Sequence, residues 1–378
     1  MQFKKVIGNS ALKQRLIAQV SENRISHAQL FEEREGSGAI ALALAYAQYV
    51  NCLERTASDS CGTCSSCLKF EKLQHPDLHF IFPSATTKEI TKNPSSAQFF
   101  QQWTEALRSN PYLSLNAWVE ALGTENKQVI INTRDSQDII QKLSLRSYEA
   151  LRKIILIWLP EKMNGDSANK LLKTLEEPDE NTLLLLITQD IDALLPTILS
   201  RVQLIKVPKP SEAEIAEGLT DQYHFSAAAA SAASLLCEGN VNRALELANG
   251  NEDEDFYISN FQNWMRYCYT ANVMDIAAWV DAVATIGRER QKNIAEYGLR
   301  FFRECLVRNY GSGLNMLHEK EAPFLEKFSP FIHGGNIVLL TEAFEELHQQ
   351  ISRNANPKIT FMNLSLNVSK MLKLKAQF

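Results

Sequence analysis

Apolar residues recur in two alternating patterns along the first 207 residues of the chain. Short unbroken apolar runs predict buried strands, and runs with apolar residues three or four positions apart predict helices that pack on them. Strands that alternate with helices favour a parallel sheet covered by helices, so residues 1–207 are predicted to form an α/β domain. The predicted strands are Ala28–Phe31, Leu78–Phe82, Gln128–Asn132, Lys153–Trp158, Leu183–Thr188 and Gln203–Val207, and the predicted helices include Ser10–Val20, Ala39–Val50, Asp135–Leu143 and Asp166–Glu177.

The pattern changes at Val207-Pro208-Lys209-Pro210, because two prolines separated by one residue end helices and central strands alike. Ser211 and Glu214 then form a capping-box pattern, which predicts the start of a helix. Residues 208–250 predict a small helical domain with three helices. After a polar linker at 250–255, residues 251–378 predict a second helical domain with five or six helices. The expected fold class is therefore α/β followed by all-α, in three domains.

One segment, residues 84–127, is long and carries Trp103, Tyr112 and Trp118 in helix-like patterns. We interpret it as an insertion that packs on the α/β domain. The alternative is a surface for a partner protein, because exposed aromatic side chains are enriched at interfaces.

Composition narrows the class of protein. The chain has 378 residues and a formal net charge of −5, whereas a protein that wraps nucleic acid alone usually has a basic balance. It has no apolar run of about 18 residues, so no transmembrane helix is expected. Residues 1–10 are polar and lack the apolar core of a secretory signal, so a cytoplasmic location is expected.

Four of the seven cysteines are clustered in the spacing C-x8-C-x2-C-x2-C. Zinc takes four soft ligands in a tetrahedron, and each C-x2-C pair places two thiolates on one side of it. The pattern therefore predicts a structural zinc module at residues 52–67, with unpaired thiols as the alternative. His75 and His79 are nearby candidates to replace a ligand, but His75-Pro76-Asp77 is better explained as a turn before a strand. The predicted ligands are Cys52, Cys61, Cys64 and Cys67.

A second candidate site follows the strand Ala28–Phe31, where a glycine-bearing loop leads into a helix. This is the setting of a nucleotide-binding P-loop, G-x-x-x-x-G-K-[ST]. Gly38 fits the second glycine, but Glu33, Ala39 and Ile40 replace the first glycine, the lysine and the hydroxyl residue. The metal-binding acid expected after a later apolar strand is replaced by Trp158 and Leu159. We interpret the site as one that has lost ATP binding; the alternative is that it was never a P-loop.

Several motifs occur together in one order. The sequence resembles the AAA+ clamp-loader subunits of bacterial DNA polymerase III, the delta-prime and gamma/tau family. The resemblance is strong over about residues 1–210 and weaker beyond. The motifs that carry it are Ile7-Gly8-Asn9, Ser26-His27-Ala28, the four cysteines, His75-Pro76-Asp77, the string Leu171-Leu172-Lys173-Thr174-Leu175-Glu176-Glu177-Pro178, and Leu199-Ser200-Arg201.

The resemblance implies an AAA+ core, a helical lid and a helical collar that assembles into a hetero-pentamer with gamma/tau and delta subunits. Such complexes place a sliding clamp on primed DNA. In this family the delta-prime branch has lost its own ATP site, so the substitutions at Ala39, Ile40, Trp158 and Leu159 favour that branch. A gamma/tau-type ATPase is the first alternative. A zinc-ribbon protein that binds nucleic acid alone is the second, and the acidic balance argues against it.

The resemblance also assigns a function to Arg201. In the family motif Ser-Arg-Cys, the arginine reaches across an interface to the ATP of a neighbouring subunit. Here Val202 replaces the cysteine. The alternative for Arg201 is an ordinary surface arginine. Lys173, Glu176 and Glu177 are expected on a solvated helix face, and Arg243, at the family's lid-sensor position, is expected to be structural.

Overall fold

The computed structural model describes residues 1–124, 127–144, 146–176, 181–249, 252–310, 321–353 and 355–374. The chain forms two compact units, Met1–Asn249 and Gly250–Phe378. Glu177 and Pro178 of the family motif, and residues 250–251 of the predicted linker, lie outside the described residues. Residues 252–255, also predicted as linker, belong to a helix. The subdivision of the first unit at residues 207–208 stays a prediction.

The first unit is built on a parallel sheet of five strands in the order β2-β3-β4-β1-β5. Alternate side chains of each strand enter opposite hydrophobic layers, as the period of two residues in a strand requires. Ile154, Leu156 and Trp158 face one layer, and Ile155 and Ile157 face the other. The strands are β1 Ala28–Glu33, β2 Leu78–Ile81, β3 Lys153–Trp158, β4 Thr182–Thr188 and β5 Gln203–Val207.

The predicted strand Gln128–Asn132 is wrong. This segment pairs only at isolated bridges, Ser84 with Ile130 and Ile131 with Met163. The Asn132 N–H donates to the Asp135 carboxylate at 3.0 Å, at the start of the next helix. Because the segment changes partner after one residue and its next amide is bound to a side chain, a continuous ladder does not form.

Helices cover both faces of this sheet. The second helix is apolar except for Gln48 and the hydroxyls of two tyrosines, and all of its residues are buried, as expected for a helix enclosed on every side. Three later helices follow the Ser211–Glu214 capping box, which is present as predicted. The helices of the first unit are α1 Ser10–Ser21, α2 Ala39–Val50, α3 Ser65–Glu71, α4 Phe100–Ser109, α5 Leu115–Ala121, α6 Thr133–Ser144, α7 Gly165–Glu176, α8 Pro196–Leu199, α9 Glu212–Asp221, α10 Ala227–Leu236 and α11 Val241–Ala248.

The insertion packs on the sheet through its aromatic residues. The Trp103 ring stacks on Phe82 with centroids 4.2 Å apart, and it meets Trp118 and Trp158 at 5.1 Å. Trp103, Tyr112 and Trp118 are all buried. The prediction of a packed insertion is therefore confirmed, and the alternative that these three aromatic side chains form an exposed partner surface is wrong.

The described residues of the second unit form helices and the turns that connect them. Its core is aromatic: Trp264 stacks on Trp279 with centroids 4.5 Å apart, and Phe344 and Phe361 pack against Trp264. The predicted fold class, α/β followed by all-α, is confirmed. The helices are α12 Glu252–Thr270, α13 Val273–Thr285, α14 Arg288–Asn309, α15 Ala322–Phe328, α16 Ile337–Ser352 and α17 Pro357–Met371.

Within the described parts of both units, every helix is too short or too polar to cross a lipid bilayer.

Candidate functional site

The glycine loop, residues 33–38, joins β1 to α2 at the carboxyl edge of the sheet. Gly36 and Gly38 have φ angles of +76° and +90°, in the left-handed region that glycine adopts readily. Gly38 is the N-cap of α2 and offers no side chain to the free amides there. The start of α2 therefore presents unsatisfied N–H groups and the positive end of the helix dipole, which favour an anion.

The anion at this position is a carboxylate of the chain itself. Glu33 Oε2 accepts the Ala39 N–H at 2.9 Å and the Ser37 hydroxyl at 3.2 Å. Glu33 occupies the first-glycine position of the P-loop pattern, where a side chain is not expected. Burial raises the pKa of Glu33 to about 7, and hydrogen bonds from Ala39, Gln189 and Ser37 oppose that rise.

Two distant segments close the loop from outside. The Tyr112 ring packs on Gly38, where an added Cβ would lie 2.8 Å from Cε1, and the Tyr112 hydroxyl accepts the Ile7 N–H at 2.7 Å. The Asn240 side chain packs on Gly36, and the Val241 N–H donates to the Gly36 carbonyl at 2.9 Å. Side chains from both segments thus pack directly on the two glycines of the loop.

The end of β3 offers no carboxylate at the position expected for a metal-binding acid. Trp158 is fully buried in the aromatic cluster, and Leu159 is buried with φ of +55°. The nearest acid along the chain is Glu161, which sequence reasoning missed. Its carboxylate accepts the Thr188 hydroxyl at 2.8 Å and the Gln189 N–H at 3.0 Å. Burial raises the pKa of Glu161, and its contacts fasten the end of β4 to the end of β3.

Arg201 lies at the opposite edge of the sheet. It precedes β5, and Gln203 at the start of β5 pairs with Gln29, whereas Val207 at its end pairs with Glu33. These two pairs are four residues apart along the strand, which is a distance of about 13 Å at ~3.3 Å per residue. Because the strands are parallel, Arg201 is at the amino edge and the glycine loop is at the carboxyl edge. The structure does not bring these two predicted site elements together.

The Arg201 guanidinium is held by three contacts. Nη1 donates to the Thr197 carbonyl at 2.8 Å and to the Ser200 hydroxyl at 3.1 Å. Nη2 lies 2.7 Å from Glu176 Oε1, and the Arg201 side chain is 33% exposed. Val202, which replaces the family's cysteine, is partly buried and packs on the apolar layer of α6, α7 and α8.

The four cysteines predicted as metal ligands are brought together. Their sulfur atoms all lie within 4.8 Å of one another. Sγ of Cys61 is 3.5 Å from that of Cys52 and 3.9 Å from that of Cys67. Four sulfurs on a tetrahedron at ~2.3 Å from a zinc ion would be about 3.8 Å apart, so the spacing fits a metal ion.

Backbone amides point at the sulfur atoms of this cluster. The Cys61 N–H donates to the sulfur of Cys52 at 3.2 Å. The Cys64 N–H donates to the sulfur of Cys61 at 3.3 Å, and the Cys67 N–H to the sulfur of Cys64 at 3.5 Å. Backbone hydrogen bonds lower the pKa of the Cys61 thiol to about 6, whereas burial raises the pKa of Cys52 and Cys67. A bound divalent cation would supply the positive charge that keeps all four thiols ionised. The cluster can therefore hold a metal ion.

The remaining predicted residues have simpler surroundings. His75 Nδ1 accepts the Asp77 N–H at 3.1 Å, in the turn before β2, and neither His75 nor His79 belongs to the metal-binding group found among the described residues. Lys173 is exposed, as predicted. Glu176 is exposed but pairs with Arg201, so its description as a merely solvated charge is incomplete. Arg243 is partly exposed, and its amide donates to the Asn240 side chain.

Comparison with known proteins gives a consistent result. A sequence profile of the family described as "DNA polymerase III, delta subunit" matches residues 8–211, more than half of the chain. DNA polymerase III subunit delta' of Bacillus subtilis is 28% identical over 233 residues, which cover 62% of this chain and 57% of that protein. The delta' subunit of Escherichia coli is 24% identical over 302 residues, 79% of this chain and 75% of that protein. DNA polymerase III subunit tau/gamma of Haemophilus influenzae is 25% identical over 217 residues, 57% of this chain and 25% of that protein.

The buried Glu33 carboxyl predicts a pH-dependent stability. Its pKa rises from about 4.5 to about 7 on folding, so the unfolded chain releases this proton at lower pH than the folded chain. Stability is therefore lost as pH rises from about 4.5 to 7 and stays lower above that range. Glu33→Gln keeps an oxygen that accepts the Ala39 N–H but cannot ionise. We expect it to be more stable than wild type at pH 8.5, by up to about 3 kcal/mol, and close to wild type at pH 4.5.

Urea unfolding followed by tryptophan fluorescence at several pH values measures this difference. Glu217→Gln, on the exposed face of α9, is the matched control and should track wild type at every pH. A Glu33→Gln variant less stable than wild type at pH 8.5 would contradict the prediction.

Proposed function

This chain belongs to the DNA polymerase III delta-subunit family whose profile it matches, and we propose that it is a clamp-loader subunit that does not hydrolyse ATP itself. In this proposal it supports the loading of a sliding clamp onto primed DNA during replication in the cytoplasm. It does so as a delta-prime-type subunit, in a hetero-pentamer with gamma/tau and delta subunits. The helical unit Gly250–Phe378 serves as the collar through which the subunits assemble.

The loss of nucleotide binding is supported above all by one contact, the hydrogen bond from the Ala39 N–H to Glu33 Oε2 at 2.9 Å. A phosphate would need this amide, and the carboxylate that holds it would also repel the phosphate. Ala39 and Ile40 lack the ammonium and hydroxyl groups that bind phosphate and Mg²⁺ in P-loop proteins. Trp158 is buried where a metal-binding acid is expected.

A function for Arg201 in a neighbouring subunit is supported by its location. It stands at the edge of the sheet opposite its own glycine loop, so it does not serve that loop. A guanidinium is always charged and offers a planar fork of donors, which suits the charge that develops on a transferred phosphoryl group. We therefore propose that Arg201 acts in trans on ATP bound to the adjacent subunit.

We further propose that Cys52, Cys61, Cys64 and Cys67 hold a structural zinc ion. All-cysteine sets of four are typical of closed zinc sites in which no position remains for water or substrate. The metal would hold the turn between α2 and α3 and take no part in chemistry.

A gamma/tau-type ATPase is the second candidate. The similarity to the tau/gamma subunit of Haemophilus influenzae over 217 residues favours it. It requires that the glycine loop bind Mg-ATP in spite of Glu33, Tyr112 and Asn240. Nucleotide binding by the purified chain separates the two candidates.

The proposal predicts that the purified full chain does not bind Mg-ATP. Titration with a fluorescent ATP analogue should give no saturable signal up to about 1 mM, whereas the KM values of enzymes are usually ~1 μM–1 mM. A gamma/tau subunit from the same organism is the positive control. Saturable micromolar binding would favour the ATPase alternative.

Arg201→Ala should reduce the ATPase of the reconstituted loader, measured with clamp and primed DNA, by about tenfold or more, because arginine fingers contribute about 10³–10⁵ in related single-site systems. Arg201→Lys should not restore it, since an ammonium lacks the planar fork. The exposed Arg134→Ala is the control, and gel filtration should show that all variants assemble. Full ATPase activity in an assembled Arg201→Ala loader would exclude the trans function.

Metal analysis of the full chain, purified under reducing conditions, should return about one zinc ion per chain. Cys61→Ser should lower the zinc content and the melting temperature, because it removes one of the four ligands. Cys237→Ser, at a buried cysteine outside the cluster, should keep the zinc. A metal-free wild-type chain that melts like the zinc-loaded chain would contradict a structural metal.

A further inference from the structure

Arg201 does not extend freely from the surface in this structure. Both contacts of Nη1 are to its own chain segment, the Thr197 carbonyl and the Ser200 hydroxyl. Nη2 pairs with Glu176 Oε1 at 2.7 Å. A guanidinium has five N–H donors, and these three contacts use both donors of Nη1 and one of Nη2. The second Nη2 donor and the Nε donor take no part in them.

The position of Glu176 is fixed by its buried neighbours. Leu171 and Leu175 on the same helix are buried in the apolar layer between α7 and α8. The carbonyl of Leu175, in the last turn of α7, is 3.1 Å from His27 Nε2. A helix leaves its last carbonyls without partners inside the helix, so this contact with the residue before β1 anchors the end of α7. The Glu176 backbone is therefore held to the sheet although its carboxylate is exposed.

We propose that Glu176 is a positioning residue for Arg201: it holds one edge of the guanidinium, so that the remaining donors face outward, toward the phosphate of an adjacent subunit. This inference rests on the trans function proposed for Arg201. Long arginine side chains have many rotamers, and holding one of them in advance lowers the entropy lost when the phosphate is engaged. Glu176 touches no reacting atom in this scheme and acts only through Arg201.

The same ion pair has an alternative interpretation, in which Glu176 holds Arg201 back from the interface and so inhibits it. The geometry argues against it, because Glu176 occupies only one donor of Nη2, and the contacts of Nη1 are made by Thr197 of α8 and by Ser200, which follows α8. Removing Glu176 would therefore loosen the guanidinium rather than release it. Exposed ion pairs have modest effects, so we expect a change of about two- to fivefold in rate.

The test uses the fully reconstituted loader with clamp and primed DNA, and measures kcat and KM for ATP separately. Glu176→Ala should lower kcat about two- to fivefold and leave KM unchanged, because a finger acts on the transition state rather than on ATP binding. Glu176→Gln keeps a hydrogen-bond acceptor and should retain more activity than Glu176→Ala. Lys173→Ala, an exposed change on the same helix, should behave as wild type.

The double variant Glu176→Ala with Arg201→Ala decides whether Glu176 acts through Arg201. We expect the double variant to match Arg201→Ala alone, since a positioning residue has nothing left to position. The inference would be overturned if adding Glu176→Ala to Arg201→Ala lowered kcat by the same factor as Glu176→Ala lowers it alone. A raised kcat or a changed KM for Glu176→Ala would also overturn it. Wild-type kcat in Glu176→Ala beside a slow Arg201→Ala would overturn it and leave the trans function standing. Wild-type kcat in Arg201→Ala would overturn both.

Discussion

The start of α2 has free N–H groups, and the chain supplies a hydrogen-bond acceptor for one of them from its own sequence. In a nucleotide-binding loop the free amides at this position bind phosphate, and the bound nucleotide satisfies them. Here the Glu33 carboxylate accepts the Ala39 N–H, so one of these amides is paired without a ligand. The cost is a buried carboxyl whose pKa rises to about 7. Tyr112 and Asn240 pack on the same loop at Gly38 and Gly36.

The parallel direction of the strands places the glycine loop at one end of the sheet, and Arg201 and the cysteine cluster at the other. The glycine loop and Trp158 lie at the carboxyl edge of the parallel sheet, where ligands usually bind in open α/β folds. Arg201 precedes β5 and stands at the amino edge. The cysteine cluster follows α2, which runs back from the carboxyl edge, and Asn51 beside it bonds with Arg152 just before β3. Arg201 and the cysteine cluster therefore both lie on the side of the sheet away from the glycine loop.

The packing of the first unit depends on apolar contacts that the chain makes with itself. The apolar layers on both faces of the sheet depend on alternate strand residues and on α2, and none of these needs a nucleotide. Trp158, in place of an acid, adds its ring to the cluster formed with Trp103, Trp118 and Phe82. Trp158 is thus part of the core that holds the insertion.

The sequence by itself determined the features that depend on neighbouring residues. The apolar periods gave all five strands and the exact limits of α2, and the cysteine spacing identified the four thiols that come together. The tertiary structure alone decided the contacts between distant positions: Tyr112 on Gly38, Glu161 with Thr188, and Glu176 with Arg201. It also showed that residues 128–132 form only isolated bridges. The physical reason is that periodicity reports which face of an element is buried, whereas the partner of a charge, an amide or a strand edge is set by how separate elements pack.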